Sequence, residues 1–311
     1  MNNNNISRRD FIRTTAFGAA GVATGAVMLT ACEKDTPWYT IPRGAMNVLG
    51  AMQYPSMIGE YENDPTIGIS KKSERSWVLG SRDRIKEVVE YEEKESGIAS
   101  GFTWDVDLYG SPQVNAWCMP GARMAFYDGI IPMCGSQSGV AVVMGHEVAH
   151  AVRNHAGQRM GMQLGINLGL QAVDYVAKLA FGDAVDPEVI DIAMQVFAVG
   201  GNIAALAYSR NHEHEADRMG LMYAAKAGYN PTVAPVFWKN MEDEFGASAT
   251  PTFLSTHPAH GDRSSRLSNL QQEALEYYEN SEFEKVTIKD RIKNLNDSMD
   301  EAWEHYKQAI S

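Results

Sequence analysis

Two stretches of the chain carry apolar residues at helical spacing around histidine and carboxylate side chains. In the first, residues 136–160, apolar side chains recur every three to four positions, which predicts a helix with one buried stripe and Ser136 or Ser138 as its N-cap. The stripe consists of Val140, Val143, Met144, Val148, Ala151 and Val152. The second pattern runs from Ala204 to Ala225 and ends at the stop supplied by Gly228-Tyr229-Asn230-Pro231.

The remaining pattern predicts a mainly helical α+β fold with one small sheet. Helical spacing begins at Trp77, and a further helix follows Pro231 with a core face of Val236, Phe237, Trp238 and Met241. Apolar and polar residues alternate from Phe102 to Leu108, which predicts a half-buried strand, and Val114–Ile130 predicts further strand interrupted at Pro120-Gly121. We expect a small, mainly antiparallel sheet beside the first helix, with Trp117 and Met119 in the core rather than in a cleft.

Two long apolar stretches, Met160–Phe181 and Val189–Tyr208, resemble membrane spans at first sight. The first contains Asp174 and Lys178, and the uncharged part of the second is shorter than the ~20 residues that cross ~30 Å of hydrocarbon. The second stretch also continues into the pattern that carries Glu213. Both are therefore predicted to be buried core helices.

The first 31 residues have the composition of a targeting segment. Arg8-Arg9 resembles a twin-arginine (Tat) export signal, and Leu29-Thr30-Ala31-Cys32 resembles a lipoprotein cleavage box. An ordinary Sec signal or an uncleaved anchor helix is the alternative. Lipidation of Cys32 would tether the chain to a membrane surface. Residues 32–76 have little periodicity and are predicted to be a tether and an irregular arm.

Length, charge and cysteine content limit the possible partners, the number of domains and the state of the thiols. The net charge of −12 argues against a nucleic-acid partner and against electrostatic docking on anionic lipid. Residues 77–275 are long enough for one domain, and residues 276–311 predict a charged C-terminal helix. Cys118 and Cys134 fit either a disulfide or two buried thiols.

The candidate chemistry lies where the two helical patterns carry their polar residues. His146 and His150 are four residues apart, so they share a helix face and can bind one metal ion, with Glu147 one step round facing a water molecule. Catalytic zinc needs three protein ligands and one open position. Glu213 is the candidate third ligand, and Asp217 one turn later can accept the outer N–H of a ligating histidine. His155, His212 and His214 are predicted to lie outside the ligand set. This pattern predicts one Zn²⁺ per chain.

Four blocks of sequence lie in a fixed order between residues 104 and 267. They are Asn115-Ala116-Trp117-Cys118-Met119-Pro120-Gly121, His146-Glu147-Val148-Ala149-His150, Ser209-Arg210-Asn211-His212-Glu213-His214-Glu215-Ala216-Asp217, and Ser255-Thr256-His257-Pro258. Together they resemble the HtpX and CAAX prenyl protease family of zinc metallopeptidases, peptidase family M48. Within that family they are most similar to its Oma-like, LoiP-like and BepA-like bacterial lipoproteins.

The resemblance implies a gluzincin-like metallopeptidase domain, with the sheet beside the HExxH helix and an extended substrate at the sheet edge. It also implies a supporting role for Arg210 next to Asp217. For His257 it implies a switch that occupies the open metal position, while oxyanion stabilisation and a purely structural role remain open.

These observations together predict a zinc-dependent endopeptidase. Its expected location is the periplasm-facing bacterial cell envelope, anchored to a membrane through Cys32, and its expected substrates are misfolded or unassembled envelope proteins. Partners in envelope assembly are not identified by the sequence. The alternative is an envelope chaperone or quality-control factor that keeps the zinc site and has little proteolytic activity.

Overall fold

The computed structural model describes residues 37, 39–62, 64, 67–168, 178, 208–245, 251–258 and 263–286. In chain order the elements are α1 (Arg43–Glu62), α2 (Arg75–Ser96), β1 (Val106–Tyr109), β2 (Ala116–Met119), β3 (Arg123–Tyr127), α3 (Ile131–Cys134), α4 (Gln137–Val152), α5 (His155–Leu168), α6 (Arg210–Lys226), α7 (Ala234–Phe245), α8 (Thr252–Thr256) and α9 (Arg263–Glu279). Single 3₁₀ turns, Asp128–Ile130 and Pro231–Val233, precede α3 and α7. The mainly helical α+β class with one small sheet is confirmed.

Helix α4 is the centre of the fold. Its N-cap is Ser136, whose hydroxyl accepts a hydrogen bond from the Gly139 N–H at 3.1 Å. Residues from Ser138 to His150 are buried around the whole circumference, so the prediction of a single buried stripe was too narrow. The reason is that α2, α6 and β2 cover this helix from different sides.

Helices α4 and α6 cross in very close contact. A Cβ atom on Gly145 would collide with the carbonyl oxygen of Gly220, and one on Gly220 would collide with the backbone of Gly145 and His146. Glycine at both positions therefore lets the two backbones touch. This crossing brings the polar residues of α6 next to the histidines of α4.

Helix α6 begins at Arg210, and Tyr208 and Ser209 are not helical, so the predicted pattern from Ala204 to Ala225 is not one continuous helix. Ser209 has an extended backbone, with ψ 157°, and its hydroxyl accepts from the N–H of His212 at 3.2 Å. Ser209 is therefore the N-cap of α6 and fixes where this helix begins. As a result, Glu213 lies in the first turn of α6.

The sheet is mixed, not mainly antiparallel as predicted. Its strand order is β1-β3-β2, with β2 and β3 antiparallel and β1 and β3 parallel. The cause is that the β2–β3 hairpin returns β3 into the position next to β1. The strand predicted from Phe102 begins only at Val106, since Trp104 has a φ of 63°, although the predicted alternation of burial holds from Phe102 onward.

Helix α1 covers the second face of this sheet, and it corrects the prediction of an irregular arm over residues 32–76. Apolar side chains of α1 pack on the outer sheet face, with Tyr54 in contact with Trp117 and Tyr61 in contact with Tyr127. The strands are apolar on both faces, which requires a covering layer on each side. Trp117 and Met119 lie in this core, as predicted.

The structure departs from the sequence pattern in three further places. Val236 is 45% exposed, while the rest of its predicted core face, Phe237, Trp238 and Met241, is buried. Helix α9 ends at Glu279, and Val286 forms a parallel bridge with Tyr229, so the chain is not helical throughout from residue 276. Both boundaries of the predicted 77–275 domain fall inside helices, α2 and α9.

Several predicted features lie outside the described residues. They are the targeting segment 1–31, Cys32, most of Met160–Phe181, all of Val189–Tyr208 except Tyr208, and residues 287–311. Among the residues that the structure describes, no helix has the length and apolar character needed to cross a membrane. Cys118 and Cys134 are both free, buried thiols.

Candidate metal centre and active site

The two histidines of α4 face the same point. The Nε2 atoms of His146 and His150 are 3.0 Å apart, and both side chains are buried. Two lone pairs this close, in a site closed to water, repel each other unless a proton or a metal ion lies between them. This arrangement indicates a cation site.

Glu213 reaches the same point from α6. Its carboxylate is fully buried, with Oε2 3.5 Å from Nε2 of His146 and Oε1 3.4 Å from Nε2 of His150. Burial alone would raise the pKa of Glu213, but His257, His146 and His150 outweigh it and hold the pKa far below its ordinary value. The side chain is therefore an anionic oxygen donor.

His257, at the C-terminus of α8, completes a group of four. Its Nδ1 atom lies 3.2 Å from Oε1 of Glu213 and 3.2 Å from Nε2 of His146. The ligand atoms of His146, His150, Glu213 and His257 all lie within 4.8 Å of one another. A tetrahedral zinc site with bonds of about 2.0–2.1 Å has edges of about 3.3 Å, which is close to the five pair distances of 3.0–3.5 Å given above. The four side chains therefore fit a tetrahedral metal ion.

His257 lies directly after a short helix. Ser255 and Thr256 belong to helix α8, and His257 follows them with φ −122° and ψ 77°. Pro258 disfavours helical backbone at the preceding residue, which explains why the helix stops there. The imidazole consequently projects away from the helix end into the metal centre.

Glu147 lies beside this group without belonging to it. It is 1% exposed, and burial raises the pKa of its carboxyl group. Its Oε1 atom is 3.2 Å from Nε2 of His257, yet it makes no hydrogen bond of proper geometry within the described part of the chain. The residue thus presents a free acceptor atom next to the metal centre.

Asp217 and Arg263 hold the ligands from behind. Oδ1 of Asp217 is 3.0 Å from Nδ1 of His146. The Arg263 guanidinium donates to Oε2 of Glu213 at 2.7 Å and to Oδ1 of Asp217 at 2.6 Å, and it stacks over Trp238 at 3.7 Å. Burial opposes ionisation of Asp217, but Arg263 and His146 lower its pKa.

The resemblance implied a supporting role for Arg210. In the structure, the arginine that contacts Glu213 and Asp217 is Arg263 instead. Arg210 is exposed because it is the first residue of α6, at the end of the helix and two turns before Asp217. Arg263 is 3% exposed and opens α9. In the sequence, the feature that could have pointed to Arg263 is its position five residues after Pro258, the end of the last of the four sequence blocks.

The other histidines of the region lie outside the group of four. His155 is fully buried and contacts His150 through Nδ1, while its Nε2 faces Glu215. The ring of His212 stacks on His155 with centroids 4.3 Å apart. Tyr208 stacks on His150 at 3.8 Å, so this side of the metal centre is closed by aromatic rings.

Comparison with known proteins finds similarity to metallopeptidases. The family model for Peptidase family M48 matches residues 81–271, which include all the site residues described above. Mitochondrial metalloendopeptidase OMA1 of Arabidopsis thaliana is 34% identical over 180 residues, 57% of this chain and 34% of the relative. Metalloendopeptidase OMA1 of Homo sapiens is 29% identical over 238 residues, 75% of this chain and 43% of the relative.

A bacterial protein is also similar to this chain. The putative beta-barrel assembly-enhancing protease of Vibrio cholerae is 31% identical over 165 residues, 53% of this chain and 33% of the relative. The chain spans less than half the length of each of these three relatives.

Proposed function

We propose, because the chain belongs to peptidase family M48, that it is a zinc-dependent endopeptidase carrying one Zn²⁺ per chain. The observation that carries this proposal is the buried group of His146, His150, Glu213 and His257. Three imidazoles and one carboxylate are a nitrogen and oxygen donor set suited to zinc, and their spacing fits tetrahedral coordination.

The protein side chains would divide the reaction between them. Zinc, when bound, activates water and polarises the peptide carbonyl. Glu147 accepts the proton of the attacking water and passes it to the leaving amine, and its buried position with a raised pKa suits a group that must hold that proton briefly. Asp217 and Arg263 keep His146 and Glu213 oriented during these steps.

The outer edge of β2 is the proposed place for the substrate backbone. This strand ends the sheet order and lies along α4. An extended peptide that added to this edge would gain main-chain hydrogen bonds independent of its side chains. Such binding would let one site accept many polypeptide sequences.

We assign His257 the role of a displaceable fourth ligand. With four protein ligands the zinc has no open position for water, so this arrangement is a closed state. The carbonyl of Val114, two residues before β2, accepts a hydrogen bond from the N–H of Phe253 in α8 at 3.2 Å. A peptide extending along β2 toward Val114 would compete for that carbonyl and loosen the segment that carries His257.

The substitution His257→Ala distinguishes the three roles by the sign of the effect. We expect peptidase activity on casein to rise, because the metal gains an open position. A fall of a hundredfold or more at unchanged zinc content would instead identify His257 as an oxyanion donor, and an unchanged rate would identify it as structural.

The cellular part of the proposal rests on the N-terminal sequence and on the bacterial relatives. Arg8-Arg9 and Leu29-Thr30-Ala31-Cys32 support twin-arginine export and lipidation at Cys32. The protein would then act in the cell envelope on misfolded or unassembled polypeptides.

A chaperone or quality-control factor with little proteolysis is the second candidate, and the closed four-residue group is the observation that favours it. Cleavage of casein by zinc-loaded wild type and not by Glu147→Gln supports the peptidase. Absence of cleavage by wild type and by His257→Ala, with zinc bound in both, would refute it.

A further inference from the structure

Behind the metal centre, His150 and His155 form a direct contact between two buried rings. Their Nδ1 atoms are 2.9 Å apart, and His155 has no exposed surface. The turn between α4 and α5 creates the contact, because Asn154 adopts a left-handed backbone with φ 51°. The amide of Asn154 fixes this turn by donating to the carbonyl of Ile41 at 2.8 Å. The contact is therefore built by the fold rather than left to side-chain freedom.

The protons along this contact can be placed in only one way when Nε2 of His150 faces a cation. The neutral ring of His150 then carries its single proton on Nδ1, which must donate to Nδ1 of His155. The proton of His155 is consequently on its Nε2, which donates to Oε2 of Glu215 at 3.1 Å. The Nε atom of Arg153 forms an ion pair with the other carboxylate oxygen, Oε1, at 2.6 Å.

This line mirrors the support of the other histidine of α4. Nδ1 of His146 faces the carboxylate of Asp217 directly, at 3.0 Å. His150 has no carboxylate at its own Nδ1 among the described residues, and reaches one only through His155. A ligating histidine bound in this way is fixed in tautomer and ring orientation and is a more basic ligand.

We propose that His155, held by Glu215, is a positioning residue that sets the tautomer and orientation of His150 for metal binding. The proposal rests on the proposed zinc site and adds to it a relay of Glu215, His155 and His150. Glu215 thereby has a role in metal affinity without being a ligand.

The test measures zinc affinity directly, by competition with a chelator, on the full chain. The variants are His155→Phe, which keeps a ring and removes both nitrogen atoms, and Glu215→Gln, which keeps an acceptor oxygen and removes the charge. His212→Phe is the matched control, because His212 stacks on His155 but has no part in the relay. Melting of each metal-free variant checks that it folds, and the cobalt(II) absorption spectrum reports the ligand field.

We expect His155→Phe to weaken zinc binding about tenfold to a hundredfold and to shift the cobalt spectrum. Glu215→Gln should lower affinity in the same direction by less, and His212→Phe should change neither quantity. An unchanged zinc affinity in folded His155→Phe, or an equal loss in His212→Phe, would overturn the relay.

If His155→Phe does not fold, zinc binding by Glu215→Gln tests the relay instead. Glu215 is partly exposed at the surface, so this substitution should not prevent folding. Weaker zinc binding supports the relay, and unchanged binding refutes it. A wild-type chain that binds no zinc would instead refute the metal site itself, so the two failures are distinguishable.

Discussion

Replacing Glu147 with glutamine separates chemistry from metal binding and from folding. The side chain is nearly inaccessible, and its Oε1 atom makes no hydrogen bond within the described residues. Glutamine has almost the same shape but cannot take up a proton from water. The substitution therefore removes the proposed general base while leaving the four proposed metal ligands in place.

The expected loss follows from the role of the residue. General base catalysis contributes about 10²- to 10⁴-fold in rate, equivalent to about 3 to 5 kcal/mol of barrier. The thermal stability of the metal-free protein should not fall and should rise slightly. Burial disfavours the ionised carboxylate, so a neutral amide at this site removes a desolvation cost. Metal-free Glu147→Gln should melt at a temperature no lower than that of wild type.

The assay combines casein cleavage, zinc content and thermal melting on the same preparations. Glu95→Gln, an exposed change on α2, is the control and should match wild type in all three. Retention of more than a tenth of the wild-type rate by Glu147→Gln would refute the base assignment. Loss of zinc along with activity would show that Glu147 acts on the metal rather than on the water.

Three further predictions concern the ligand, its support and export. Glu213→Gln should weaken zinc binding, measured by chelator competition, far more than Glu215→Gln. The reverse order would show that Glu215, and not Glu213, is the metal ligand. Arg263→Met should lower the free energy of unfolding by about 3 to 5 kcal/mol in urea titration, because two buried carboxylates lose their shared cation; a change below 1 kcal/mol would contradict this. Replacing Arg8-Arg9 by two lysines should leave unlipidated precursor in the cytoplasm, whereas normal maturation on a lipid-labelling gel would point to Sec export.

The sequence predicted best what depends on local spacing. The HExxH helix with its Ser136 cap, and the common face of Glu213 and Asp217, follow from periods and caps that neighbouring residues set. Helix α1 was missed because Pro55 and scattered glycines hide its period, and because its stability comes from covering the sheet. Tertiary packing of this kind overrides local propensity.

Long-range pairings were beyond reach for a different reason. The parallel pairing of β1 with β3 depends on strand order, which the alternation of apolar residues does not encode. Arg263 meets Glu213 across 50 residues of sequence, and only the approach of α9 to α6 creates that pair. Arg210 is close to Glu213 in sequence, but it lies exposed at the N-terminal end of α6, two turns before Asp217.

The four proposed metal ligands differ in how firmly the fold holds them. His146, His150 and Glu213 lie on two helices whose backbones touch at Gly145 and Gly220, so these three donors cannot separate without breaking the central crossing. His257 instead follows a helix of five residues. That helix is held by the buried ring of Phe253 and by hydrogen bonds from Phe253 to the Val114 carbonyl and from the Tyr208 N–H to the Thr256 carbonyl.

The difference determines which ligand can leave. Two backbone hydrogen bonds contribute about 1 kcal/mol each, whereas parting α4 from α6 would expose the largest helix contact of the core. Displacement of His257 is therefore the least costly way to free a metal position for water. The proposed metal centre would then have three ligands fixed by the helix crossing and one movable ligand, His257. Its opening would depend on the edge strand β2, because the carbonyl of Val114 just before that strand holds α8.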